Sequence, residues 1–228
     1  MHFEKHSGCL LATGLTSEGQ LLFADLQTEG HLFFSWSRPE QVTHLFKYWL
    51  SELHQQPTVL IAYSAHRTLA GLFEQYSFTL LDRFVRFQDT TDLQGSSPDL
   101  FFEHLYRQLK LRQKQKSSDS NNTIQPVYIF IDDLSLLLVF KKKKTGRYVL
   151  ELLANGAACG LHFITGSTGS FRHLILQLQH AAEKLLAKDL KGFYRTGAEL
   201  VLTDDGLHFY RSKTDMDYTR LYPFSQID

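Results

Sequence analysis

The sequence predicts an α/β fold: a mostly parallel sheet with helices on both faces and a C-terminal β-hairpin. Three observations carry this expectation. Short, β-rich apolar runs alternate with longer stretches of helical spacing along most of the chain, as in strand–helix–strand units. Runs such as TVLIAY (residues 58–63) and VYIFI (residues 127–131) read as strands buried on both faces, as parallel strands are. AELVLTDDGLHFYR (residues 198–211) sets two strands around an Asp-Asp-Gly turn, the clearest hairpin signal in the chain.

The elements follow in order. QLLFAD (20–25) and GHLFFSW (30–36) read as strands separated by a Gln-Thr-Glu-Gly turn. Pro39 opens a helix behind Ser37 as N-cap, with apolar residues at Val42, Leu45, Phe46, Trp49, Leu50 and Leu53. TVLIAY is a strand, LAGLFEQY (69–76) a short helix and FVRFQ (84–88) a strand that leads into the loop DTTDLQGSSPD. DLFFEHLYRQLKL (99–111) is a helix with a stripe at Leu100, Phe101, Leu105 and Leu109. The polar, low-complexity RQKQKSSDSNNTIQP (112–126) reads as a flexible loop within the domain. VYIFIDDLSLLLV (127–139) is an apolar strand bearing two adjacent carboxylates, followed by KKKKTG (141–146) and a helix over 148–158. LHFITG (161–166) is a strand, 171–190 a long amphipathic helix, and the hairpin closes the chain. No internal repeat is present.

With 228 residues, 43% of them hydrophobic, the chain suits one domain spanning 1–228. Lysine and arginine (24) balance aspartate and glutamate (24), so any contact with nucleic acid or an anionic membrane must be local. Cys9 and Cys159 have no paired-ligand spacing and suit a reducing compartment. No run approaches the ~20 apolar residues of a membrane span, and residues 1–8 lack the apolar centre of a signal peptide. A soluble, cytoplasmic protein without membrane insertion is expected. The 11 histidines form no HxH or HExxH motif, so no metal site is expected. Ser167 and Ser170 lie in no GxSxG elbow.

The chemistry worth testing is at Asp132 and Asp133. An apolar strand ending in Asp is one half of a P-loop ATPase site, where it positions magnesium and the attacking water. The other half, a GxxxxGK[ST] loop whose backbone N–H groups and lysine cradle phosphates, occurs nowhere in the chain. TGSTGS (165–170) is glycine-rich but has no lysine and follows a later strand.

Residues 19–53, GQLLFADLQTEGHLFFSWSRPEQVTHLFKYWLSEL, resemble the entry to the motor domain of the FtsK/SpoIIIE family of DNA-pumping ATPases. Residues 127–168 are similar to that family's Walker B strand, following helix and sensor strand. The resemblance covers most of residues 19–170 and implies a three-layer RecA-like P-loop NTPase fold. Carried over residue by residue, it places Trp36 to Thr43 where the family has its phosphate loop. Trp36 and Gln41 then replace glycines, Val42 replaces the lysine, Glu40 adds negative charge, Pro39 removes an N–H, and Thr43 alone keeps the magnesium-binding hydroxyl. Asp132 is retained, Asp133 stands where a catalytic glutamate is usual, and at the sensor Thr165 is followed by Gly166 instead of glutamine. Later domains of type VII secretion motors resemble this degenerate pattern, and VDDLS-type strands of the RecA-like Elongator subunits are more weakly similar.

The resemblance therefore implies a non-catalytic, pseudo-ATPase assembly module without a cofactor, partnered by copies of itself or by a related active motor domain. Its vestigial nucleotide site comprises Arg38, Thr43, Asp132, Asp133 and Thr165. The alternative is a nucleotide-binding or DNA-associated ATPase with atypical phosphate contacts, using Asp132, Asp133 and Thr43 with ATP and magnesium. Lys141, Lys142, Lys143 and Lys144 read as a solvated loop, or as a patch for DNA or an acidic partner. Asp132 and Asp133 have a plainer reading too, as a strand end that caps a loop or helix. Trp36, Phe193 and Tyr194 read equally as partner surface or as core.

Overall fold

The structure, a computed structural model, describes residues 10–36, 39–54, 59–63, 84–87, 98–118, 124–137, 143–167, 198–203, 206–210 and 219–221. The elements are β1 (Leu10–Leu15), β2 (Leu21–Asp25), α1 (Leu26–Glu29), β3 (Leu32–Ser35), α2 (Pro39–His54), β4 (Val59–Tyr63) and β5 (Phe84–Phe87). These are followed by α3 (Pro98–Ser118), β6 (Val127–Ile131), α4 (Leu134–Leu137), α5 (Lys143–Asn155), a 3-10 turn (Ala157–Cys159), β7 (Leu161–Ser167), β8 (Ala198–Thr203), β9 (Gly206–Tyr210) and β10 (Thr219–Leu221). The predicted helices at 69–76 and 171–190, and Phe193 and Tyr194, lie outside the described residues.

Eight strands form one sheet in the order β10-β9-β8-β3-β7-β6-β4-β5. From β8 to β5 every pairing is parallel, while β9 and β10 add on antiparallel. The predicted hairpin is the β8–β9 pair, with Thr203 opposite Gly206. β1 and β2 form a separate antiparallel ribbon.

In the parallel sheet, register partners share a face, so alternation along β3, β7 and β6 sorts the core into two sets. Phe33, Phe163, Ile129 and Ile131 pack with Phe101, Phe102, Leu105 and Leu109 of α3 and with Val149, Leu150, Leu152 and Leu153 of α5. On the other face Phe34 and Phe130 meet Phe46 and Trp49 of α2, with ring centroids 5.1 to 5.9 Å apart in edge-to-face geometry. Each such pair contributes about 0.5–1.5 kcal/mol beyond area burial. The Trp49 indole N–H donates to the Ala12 carbonyl at 2.7 Å, fastening α2 to the β1–β2 ribbon.

Four expectations need correction. First, the predicted flexible loop at 112–126 is in part helix, since α3 runs on to Ser118. Lysine, arginine and glutamine are good helix formers. Arg112 and Lys116 also hold this last stretch in place, donating to the carbonyls of Gln125, Cys159 and Ala158 at 2.8 to 3.1 Å. Second, the apolar LSLL after the carboxylates does not extend the strand but forms the helical turn α4. Third, α5 begins at Lys143, so half of the lysine run is helical, and it ends at Asn155, short of the predicted 158. Its first turn is held by the Thr145 hydroxyl, which donates to the buried Asp99 carboxylate of α3. Fourth, Leu26–Glu29 is a helical turn capped by Asp25.

Two histidines tie the turn before β3 to β7 from opposite faces. His31 Nδ1 accepts from the Phe163 N–H at 3.1 Å and its Nε2 donates to the Leu153 carbonyl at 2.9 Å. His162 Nδ1 donates to the Gly30 carbonyl at 2.9 Å. Burial pushes the His162 imidazole below its ordinary value of 6.5, with the Arg112 charge adding to this and the Gly30 and Leu26 carbonyls opposing it. The unfolded chain therefore binds a proton at His162 more readily than the folded one, and stability is lost as pH falls. Urea unfolding should give a constant His162 contribution well above pH 6.5 and a declining one as pH falls through and below 6.5. His162→Gln should flatten that slope; an unchanged slope contradicts the assignment.

Candidate functional site

Because β3, β7 and β6 run parallel and adjacent, their carboxyl ends reach the same edge of the sheet. There they bring together Trp36, Thr165 to Ser167, and Asp132 with Asp133. This edge is where ligands bind in open α/β sheets.

Trp36 occupies the centre of this edge. It is 3% exposed, its backbone N–H donates to the Ser167 carbonyl at 3.1 Å, and its indole N–H donates to the Asp132 carbonyl at 3.3 Å. Of the two readings given for this residue, core rather than partner surface is the one realised. Between Ser35 at the end of β3 and Pro39 at the start of α2 only three residues remain, Trp36, Ser37 and Arg38. A GxxxxGK loop needs more chain between strand and helix than this. The helix also starts early relative to Thr43, which is its fifth residue and lies one turn back from the free N–H groups of the helix end. Arg38 lies outside the described residues.

Gly166 completes the closure. It pairs with Phe34 across β3 and β7. A Cβ added here would lie 2.3 Å from the Asp132 carbonyl oxygen and 2.3 Å from Phe34 Cε2. The side chain that the resemblance places at this position thus has its space taken by the Phe34 ring.

Both aspartates are fully buried, and the hydrogen bonds at their Oδ1 atoms are local. Asp132 Oδ1 accepts from the Asp133 N–H at 2.8 Å. Asp133 Oδ1 accepts from the Ser135 N–H at 2.9 Å and from the Ser135 hydroxyl. Since α4 starts at Leu134, Asp133 is its N-cap. Sequence reasoning named this role as the plain alternative to magnesium binding, and the short helix that needs the cap was the part it missed. Thr165, in register with Ile131 of β6 and Phe33 of β3, is 1% exposed, and its Oγ1 has no hydrogen-bond partner among the described residues. Among the described residues no group of three or more His, Cys, Asp or Glu is placed to hold a metal ion, and no helix is long and apolar enough to cross a membrane.

The lysine run lies elsewhere. Lys143 opens α5; Lys144 is exposed, 3.7 Å from Glu103 and 5.7 Å from the centroid of the Tyr148 ring; Lys141 and Lys142 lie outside the described residues. If Asp133 serves as a cap, Asp133→Ala should cost about 1 kcal/mol in urea unfolding without added metal, while Asp133→Asn, which keeps the acceptor, should cost less than half of that. Equal losses in the two variants would contradict the capping role.

No protein-family model matches the chain, and no curated protein sequence matches it. Solved structures do match in fold. The cytoplasmic domain of the Thermomonospora curvata type VII secretion ATPase EccC aligns with a TM-score of 0.65 at 14% identity, over 95% of this chain and 26% of that one. The pCW3 conjugation coupling protein TcpA, solved as a monomer with ATPγS, aligns with a TM-score of 0.61 at 13% identity, over 97% of this chain and 67% of that one. VirB4 of Thermoanaerobacter pseudethanolicus aligns with a TM-score of 0.52 at 10% identity, over 98% of both chains. The chain thus spans about a quarter of the EccC domain and two thirds of TcpA. In fold it is similar to the FtsK/SpoIIIE-type, RecA-like ATPase domains.

Proposed function

We propose that the chain is a three-layer RecA-like module of the FtsK/SpoIIIE type whose phosphate loop has been dismantled, and that it serves assembly instead of catalysis. Its partners are copies of itself or related motor ATPases of the secretion and conjugation class, met in the cytoplasm. The observation that carries this reading is the position of Trp36: a buried indole bonded to the Asp132 backbone where a phosphate loop would leave room for phosphates. Without the lysine and the glycine N–H groups, several charge-assisted contacts of about 1.5–3 kcal/mol each are missing. The buried Asp133 supports the reading in a second way, since its carboxylate is engaged by Ser135.

A nucleotide-binding alternative, using Asp132, Asp133 and Thr43, draws on the buried Thr165 hydroxyl, which lacks a hydrogen-bond partner among the described residues. Calorimetry and thermal shift with ATP and magnesium separate the two. The assembly reading predicts no saturable heat and no magnesium-dependent rise in Tm. A saturable, magnesium-dependent shift that disappears in Asp132→Ala would overturn it.

A further inference from the structure

The α3–α5 surface carries features unrelated to the strand-end site. α3 buries Phe101, Phe102, Leu105 and Leu109, while Leu100, His104, Arg107, Leu111 and Lys114 recur every three or four residues and form one exposed outer stripe. Among the described residues, the large apolar side chains standing exposed are Leu100 (49%) and Leu111 (53%). Both lie on this stripe, about 16 Å apart along the helix, with Arg107 between them.

The α3–α5 surface is basic in a chain with no net charge. From His104 to Ser118 there is no carboxylate, and there are five cations: Arg107 and Lys114 on the stripe, Lys110 beside it, and Arg112 and Lys116, which donate to backbone carbonyls. Beside the stripe, Glu103 pairs with Arg107 and Lys144, and Glu151 with Lys110 and Arg147. Among the described residues these two carboxylates serve four cations, which leaves positive charge in excess on the two-helix frame. The frame is stiffened by Tyr106 stacked on Tyr148, with centroids 4.2 Å apart.

The mixture of leucine and cation decides the kind of partner. A nucleic-acid backbone would use the cations and leave both leucines idle. Each tyrosine ring also has a tyrosine and a lysine against it already, which removes the platforms that single strands use for base stacking. An amphipathic helix with carboxylates flanking an apolar seam uses both elements, in the helix-to-groove mode of recognition.

We propose that the outer stripe of α3, from Leu100 to Lys114, docks an acidic amphipathic helix of a partner protein. Leu100 and Leu111 enter its apolar seam, and Arg107 and Lys114 face its carboxylates. The inference rests on the assembly reading for its biological sense and is independent of whether nucleotide binds, so ATP calorimetry and the experiment below fail separately.

The test is fluorescence anisotropy with the full chain and a labelled synthetic helix carrying leucine at every third or fourth position flanked by glutamates. A counterpart with lysine for glutamate and a duplex DNA serve as comparators. The glutamate helix should bind saturably and the lysine helix should not. Leu111→Ser, and Arg107→Glu combined with Lys114→Glu, should each weaken binding at least about tenfold; both change exposed positions, and circular dichroism checks folding. No saturable binding, equal binding of the two peptides, or displacement by DNA with no effect of Leu111→Ser would overturn the proposal.

Discussion

The close approach of three strand ends sets the character of this molecule. At the carboxyl edge of the sheet, the Phe34 ring and the Asp132 carbonyl leave no space for a side chain at residue 166, and only glycine fits. Two residues beyond Phe34, the Trp36 indole is hydrogen-bonded to the same carbonyl and its backbone to Ser167. Strand ends that elsewhere flare apart to admit a ligand are here joined by an aromatic side chain and backbone bonds. This filling continues the Phe34–Phe46–Phe130–Trp49 cluster beneath it, so the edge has become an extension of the core.

The carboxylates fit the same picture. A buried aspartate is costly unless hydrogen-bonded. Asp132 and Asp133 meet this requirement in part within their own turn, through the Asp133 amide, the Ser135 amide and the Ser135 hydroxyl. Their placement follows the ATPase pattern while these hydrogen bonds stabilise a strand-to-helix turn. The fold likeness to secretion and conjugation ATPases concerns architecture, at 10 to 14% identity, and the chemistry of this chain has to be argued from these residues.

Much of the fold was legible. β3, β4, β6 and β7 are apolar runs that neither helix periodicity nor solvent exposure would favour, α2 announces itself at Pro39, and the Asp-Asp-Gly turn gives the hairpin. What was not legible has specific causes. α3 extends through KLRQKQKSS because these residues favour helix and are anchored by carbonyls far away in sequence, which a compositional reading cannot see. α5 starts on lysines, which oppose the helix dipole at an N-terminus, and the Asp99–Thr145 contact that holds its first turn comes from a distant part of the chain. LSLL is apolar enough to pass for strand, so the helix that Asp133 caps was invisible. β1, LLATGL, is not among the predicted strands. Asp132, Asp133 and Thr165 lie at one edge of the sheet; that Trp36 fills the space beside them depends on a register, Phe34 with Gly166, that no local pattern encodes.

The central claim is that Trp36 occupies the place of the phosphates. With two tryptophans in the chain, Trp36 and Trp49, incorporation of 5-fluorotryptophan gives two assignable fluorine NMR signals. The account predicts that the Trp36 signal keeps its shift and width as millimolar ATP and magnesium are added. A saturating shift confined to Trp36 would mean that the indole yields to nucleotide, and would contradict the account.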